Sequence, residues 1–381
     1  MIQAAPTTNS TTISNGFEAL LTVDERTLWG IISTCALTFL ACIYSAIHPN
    51  IPSPHDSDLR ILWRRFGIMV VALLAPDLIV GWALRQWIWT RHITAQFQEC
   101  FSLHPKDWSK INERPEAPVA QNKDYTWTRT HSFFLLMGGF MLYVDGKPYQ
   151  TLSPDHLFYL IRHGSICGPT LTKRQISDRS KGNVISKGSI LLQGSWFTLQ
   201  LLSRTIYHLE PTQFEVGTLA FVVLNFITYT VWWHKPLDVD CPHPVYWKST
   251  KSKPEVYVVS ENDDHPMPLE LIVVSFCDIF LKILGIDGFS PRKLRAASFD
   301  GIHNIKLKRW ESNVLTFVGF AIATIFSGIH CTAWFYSFPS HQEQLLWCTS
   351  TVTIIIMPWL GFAVGFVLYR WRAKEQDSVK F

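Results

Sequence analysis

The sequence predicts an all-α protein, a polytopic bundle of transmembrane helices with about seven spans (six to seven). Three observations carry that expectation. Charged residues make up only 17% of the 381-residue chain, while 48% are hydrophobic and 14% aromatic; typical soluble domains are about 25% charged. The apolar residues fall into long blocks separated by polar, basic loops, not into the short alternations of a soluble core. Trp29, Trp87, Trp89, Trp232, Trp233, Trp347 and Trp371 gather at block ends, where amphipathic rings favour the headgroup layer. The net charge of +4 is mild, and Lys and Arg lie between the blocks, so no nucleic-acid partner is expected.

Taken in order, residues 1–27 are a polar Ser/Thr/Asn-rich tail expected on the exterior. The tail lacks the basic and apolar regions of a cleavable signal peptide, so the first helix is expected to direct insertion. Asn9-Ser10-Thr11 is a glycosylation sequon that suits an exterior tail. Residues 28–89 hold the first two transmembrane helices, about 28–47 and 66–89; a hydrocarbon core about 30 Å thick needs roughly 20 apolar residues. Residues 90–188 are a long loop region containing a short apolar segment, 131–146, interrupted by Gly138-Gly139. That segment is expected to span or to form a re-entrant helix. Ser153-Pro154 has the N-cap and first-turn chemistry of a helix start. Residues 189–233 form a transmembrane hairpin, about 189–208 and 214–233. Residues 234–313 are expected as a cytosolic loop. Within it, Glu270, Asp278 and Lys282 make 268–285 an interfacial helix rather than a span. Residues 314–369 form a last hairpin, about 314–335 and 346–369, and 370–381 a cytosolic tail.

Loop charge sets the count. Loop 49–65 carries Arg60, Arg64 and Arg65, residues 145–188 carry seven Lys/Arg, and 234–313 carry eleven. With six spans, loop 49–65 lies opposite loop 234–313, against the positive-inside pattern. If 131–146 also crosses, the main basic regions share the cytosolic side, although the six Lys/Arg of 90–130 then lie outside. The cysteines form no CxxC pair, so neither a zinc site nor a disulfide framework is expected.

Several segments carry a family likeness. They include His48-Pro49-Asn50-Ile51-Pro52, Ala75-Pro76-Asp77, and His131-Ser132-Phe133 through Gly138-Gly139-Phe140. The most specific are Asp178-Arg179-Ser180-Lys181-Gly182, Leu191-Leu192-Gln193, Trp232-Trp233-His234-Lys235-Pro236-Leu237-Asp238, and Gly328-Ile329-His330-Cys331. Together they resemble a large family of fungal multi-pass membrane proteins of uncharacterised molecular function. The resemblance implies a helical membrane bundle and supplies no catalytic residue. His234 departs from the Asn expected before Lys-Pro-Leu-Asp, and Gly194-Ser195 from the usual Thr-Thr.

Ionisable and polar groups inside lipid are functional candidates, since insertion of an ionisable side chain costs roughly 2.5–3.5 kcal/mol. Asp77 follows Pro76 mid-span, where a kink could open a polar pocket; its structural alternative is a bridge to Arg85 or Arg204. Gln193, Gln200 and Arg204 share one helix face. The short loop 209–213 brings Arg204 toward Glu215, and Asn225 is central in its helix. His330 could bridge helices, relay protons or bind metal. Arg179, Lys181, Lys187 and Lys235 are juxtamembrane cations expected to meet lipid headgroups or a phosphate.

Walker A, His-box, GxSxG and paired Asp-rich motifs are all missing from the sequence. No cofactor or metal is expected. The lipid bilayer is the expected partner, with an apolar small molecule as candidate ligand; oligomeric state stays open. Three functions remain. One is an accessory or enzymatic protein handling an apolar small molecule, as in fungal secondary metabolism. Another is a transporter, channel or receptor, and the third a structural membrane scaffold. Convergence of Asp77, Gln193, Asn225 and His330 on one closed pocket would favour the first; separate pairing of each would favour the scaffold.

Overall fold

The protein is described by a computed structural model over residues 28–54, 56–103, 126–181, 184–248 and 307–378. The exterior tail 1–27 with Asn9 and the interfacial helix expected over 268–285 lie outside the described residues. The described chain is mostly helical. Three of its helical stretches are long and apolar enough to cross a membrane: Leu28–Ser45, Gln213–Val231 and Trp310–Phe335.

Helix α1 (Leu28–Ala46) has no acidic residue in its first turn and no basic residue in its last. Helix α2 (Asp58–Leu74) starts at Ser57, whose hydroxyl accepts the Arg60 N–H at 3.4 Å, a good N-cap. The span expected over 66–89 is not one continuous helix. Helix α2 ends at Leu74, and α3 (Pro76–Leu103) departs from it at 110°. Proline disfavours helical backbone at the residue before it and clashes with the carbonyl four residues back. Ala75 accordingly sits at φ −147°, ψ 71°. Pro76 then opens the new helix, where its missing N–H leaves no bond unmade.

The segment 131–146 is not a helix long enough to cross a membrane, so the seventh span expected there is not borne out. Only Arg129–Leu136 is helical (α4), eight residues, or about 12 Å. The chain then turns at Gly138 (φ 82°) and continues as strand β1 (Phe140–Val144). Gly139 is required there: a Cβ would stand 2.4 Å from the Phe134 ring and 2.5 Å from its carbonyl. Asp145 and Gly146, both at positive φ, form the tight turn into β2 (Lys147–Thr151). Asp-Gly is among the strongest hairpin signals, because both central residues of that turn need left-handed backbone.

A third strand, β3 (His243–Tyr246), arrives almost a hundred residues later and pairs in parallel with β1, giving the order β2-β1-β3. The all-α expectation is therefore corrected by a small sheet. Around it fold α4, α5 (Pro154–Arg162), α6 (Lys173–Arg179) and the C-terminal turns of α3. As Ser153-Pro154 predicts, the Ser153 hydroxyl caps α5 by accepting the His156 N–H, with Pro154 in its first turn. The apolar residues that looked like a short span are the core of this module. Phe97 stacks on Trp127 at 4.1 Å, and Phe134 meets Phe140 edge-on at 5.2 Å. Burial accounts for the apolarity of 131–146 as well as lipid would.

The remaining described helices are α7 (Val184–Ile206), α8 (Gln213–Val231), α9 (Arg309–Thr332) and α10 (His341–Ser378, with Pro358 inside). Helix α8 is central and packs against α1, α3, α7 and α9. Phe221 joins three of them: it meets Phe39 of α1 at 4.6 Å and Phe326 of α9 at 5.4 Å, both edge-on. The module sits on one end of this bundle. The Ile51 N–H donates to the Met137 carbonyl at 2.9 Å, Arg65 pairs with Asp238, and His92 pairs with Glu311 at 2.8 Å.

Candidate functional site

Where bundle meets module, Lys235 is 1% exposed. It stands just past the end of α8, and three elements converge on its ammonium group. Its Nζ donates to the His48 carbonyl beyond α1 at 2.8 Å and to Gln86 Oε1 of α3 at 3.0 Å. The Trp82 and Trp232 rings lie 4.6 and 4.1 Å from Nζ, within range of cation–π attraction. The Trp232 indole N–H shares Gln86 Oε1 at 3.1 Å, and His48 packs on Trp232 at 4.9 Å. Among the described residues no carboxylate pairs with Lys235. Burial holds its pKa well below the ordinary lysine range.

The local sequence explains the arrangement. Helix α8 stops at Val231, and Trp232 turns its side chain inward. Lys235 then closes a turn by donating its own N–H to the Trp232 carbonyl at 2.8 Å. Lys187, at the start of α7, donates to the carbonyls of Trp233 and Lys235 at 3.1 and 3.3 Å. Two cations thus meet carbonyls at a helix C-terminus, where the unpaired C=O groups and the helix dipole favour positive charge.

A polar seam runs from this junction along the α1–α8 interface. The Asn225 amide donates to Ser45 Oγ at 3.2 Å, and the Ser45 hydroxyl donates on to the Cys42 carbonyl at 3.1 Å. One further turn down α1, Thr38 accepts from the Gln193 amide of α7 at 3.2 Å. Thr38, Cys42 and Ser45 recur at helical spacing, so α1 turns one polar face inward.

The expected site residues do not converge on one pocket. Gln193 faces Thr38, and Asn225 faces Ser45. Arg204 and Glu215 meet at 2.6 Å, as the short loop between their helices predicts. His330 Nδ1 donates to the Phe326 carbonyl one turn back at 2.9 Å, and its ring packs on Trp347. Asp77 lies in the first turn of α3 with its carboxyl group against the Asp77 and Leu78 N–H groups, not on Arg204. Arg85 stacks over Trp89 at 4.7 Å. Among the described residues, no group of three metal-ligating side chains forms.

The four cations assigned to headgroups or phosphate also separate. Lys187 and Lys235 are turned inward to carbonyls, so burial removes them from that role. Arg179 donates to His243 Nδ1 at 3.3 Å. Burial, and after it the Arg179 charge, hold the His243 imidazole down to about 4. Lys181 makes an exposed pair with Asp240 at 2.8 Å. A cleft opens beside the α2–α3 break, lined by Cys42, Ala72, Pro76, Phe221, Asn225 and Thr228 among others, and admits about one water molecule.

Residues 3–255 match the model of a family of unknown function (DUF8562). The chain belongs to this family. The matched region ends just beyond β3, so it holds all three strands, the Lys235 junction and the α1–α8 seam, while α9 and α10 lie past it. No curated protein and no solved structure matches the chain.

Sequence reasoning marked Lys235 for the wrong environment and missed its partners Gln86, His48 and Trp82. The Trp232-Trp233-His234-Lys235-Pro236 run was the available signal, since a lysine between bulky aromatics and proline is poorly placed to reach solvent.

Proposed function

We propose that the protein is a multi-pass membrane scaffold that holds its α/β module against the cytosolic face of a bilayer. The observation that carries this reading is the separate pairing of the intramembrane polar groups. Asn225 with Ser45, Gln193 with Thr38, and Arg204 with Glu215 each join two helices. Interhelical hydrogen bonds of this kind fix helix packing in lipid, where no hydrophobic force does so.

Connectivity supports five crossings, by α1, α7, α8, α9 and α10, with α2–α3 as a re-entrant pair. The outer parts of α2 and α3 both reach the module, through Arg65–Asp238 and Thr94–Ser132 (2.7 Å). At the opposite end, Glu210 accepts from Ser337 at 2.7 Å, and Gln213 donates to the Ser337 carbonyl at 2.8 Å. Loops 207–212 and 336–340 meet there and carry no Lys or Arg. In this arrangement the basic regions 49–65, 90–130, 145–188, 234–313 and the C-terminal tail share the module side. The positive-inside pattern is then met without the exception that seven spans required.

The test is complementation of a deletion strain, with Asp77→Asn and His330→Ala variants scored against an untargeted metabolite profile. The scaffold reading expects both to restore the wild-type profile at normal protein level. Failure of either, with protein level unchanged, would replace it by the second reading, handling of an apolar small molecule. The cleft beside Pro76 favours that alternative, because broken helices at mid-bilayer are where membrane proteins hold ligands. On that alternative, the ligand is an apolar product of fungal secondary metabolism.

A further inference from the structure

We infer that Cys331 and Cys348 form a disulfide that ties α9 to α10 at the non-cytosolic end of the bundle. The inference rests on the topology proposed above for its redox environment, and on the α9–α10 register for its geometry.

That register is fixed by two observed contacts. Phe320 of α9 and Trp359 of α10 stack with centroids 4.6 Å apart. Moving eleven residues along each helix toward the loop that joins them reaches Cys331 and Cys348. Eleven residues are three turns plus about 20°, so both thiols return to the faces that carry the Phe320–Trp359 contact, at matched height. The neighbouring pair reports the same alignment: the Trp347 indole N–H donates to the His330 carbonyl at 3.2 Å, and the two rings stack at 5.8 Å. The two thiols lie within electrostatic reach of each other, and both are partly exposed.

The surroundings supply the second half. Cys331 and Cys348 lie near loops 207–212 and 336–340, which carry no Lys or Arg and face away from the module. Disulfides form and persist on that side of an endomembrane or plasma membrane. The other described cysteines are placed differently. Cys35 and Cys42 are buried in α1 packing, while Cys100, Cys167 and Cys241 belong to the module end.

The step is thiol–disulfide exchange with a disulfide oxidant, protein or small-molecule. One cysteine thiolate attacks the oxidant's S–S bond, forming a mixed disulfide and releasing one thiol. The second thiolate then attacks the first cysteine's sulfur and expels the other thiol. Two cysteine thiols are oxidised, and one disulfide is reduced to two thiols.

To test this, cells expressing the full chain are quenched in acid and dissolved in SDS with N-ethylmaleimide, and the peptides are read by mass spectrometry. Expected is a linked Cys331–Cys348 peptide, with neither cysteine alkylated until a reductant is added. In Cys348→Ser, Cys331 should no longer appear in that linked peptide and should alkylate once any mixed disulfide is reduced. Full alkylation of both wild-type cysteines without reductant overturns the proposal, and a second arm locates the fault. The detergent-purified chain is incubated with oxidised glutathione. A bridge there, with free thiols in cells, means the hairpin faces a reducing compartment and the topology is inverted. No bridge there means the α9–α10 register is wrong.

Discussion

Replacing Lys235 by methionine keeps most of the side-chain volume and removes the ammonium group that joins α1, α3 and α8. The His48 carbonyl loses its donor at 2.8 Å, while Gln86 Oε1 keeps the Trp232 indole N–H at 3.1 Å. A buried acceptor stripped of its donor costs about 1–3 kcal/mol. The two ring contacts add about 1–2 kcal/mol each. Against these stands the desolvation of the ammonium, several kcal/mol, which methionine does not suffer. The net expectation for Lys235→Met is a loss of about 1–3 kcal/mol at pH 7, within the usual range for disrupting a buried polar contact. The pH dependence is the sharper readout. Burial lowers the pKa of Lys235 in the folded state, whereas the unfolded chain titrates near 10.4. Between those two values the unfolded state holds more protons. Wild-type stability therefore rises as pH climbs through that window, by up to about 1.4 kcal/mol per pH unit. Methionine removes this term, so the gap between the two proteins should widen in favour of wild type as pH climbs through that window. Thermal unfolding in detergent, followed by tryptophan fluorescence at several pH values, measures it. Equal stability at pH 7, or a gap that does not move with pH, would refute the junction described above.

Three further outcomes are expected. Gly139→Ala forces a Cβ to 2.4 Å from the Phe134 ring and should cost about 2–4 kcal/mol, read as early proteolysis within the module while the long apolar helices stay protected. A double-mutant cycle with Asn225→Leu and Ser45→Ala should return a coupling of about 0.6–1.7 kcal/mol; zero coupling would dissolve the α1–α8 seam. His243 has a folded pKa of about 4 against an ordinary value of 6.5, so the unfolded state holds more protons between them. Stability should fall as pH drops from about 6.5 toward 4, and His243→Gln should flatten that dependence in an acid-unfolding series.

Much of the bundle was legible in the sequence because length and hydropathy are local quantities. The blocks at 28–47, 214–233 and 314–335 each contain enough apolar residues to fill the hydrocarbon, and the structure has helices there. The Arg204–Glu215 pair was equally legible, since a loop of a few residues forces its two helices to be antiparallel neighbours. The segment 131–146 was misread because hydropathy reports only that residues leave water. It does not say whether lipid or a protein core receives them. The deciding sign, Asp145-Gly146, was in the sequence, but its value depends on a strand on each side.

By itself the sequence determined where the apolar helices lie, that Pro76 stands inside one of them where it can kink the backbone, and which loops carry the positive charge. Those follow from single-residue chemistry and from periodicity along one chain. Tertiary structure alone decided that β3 would complete a sheet begun almost a hundred residues earlier, and that Asn225, Gln193 and His330 would separate instead of converging. It also turned Lys235 inward to carbonyls of α1 and α3. Each of these outcomes depends on which distant groups can satisfy a buried donor or acceptor, and no local pattern records where that partner will be.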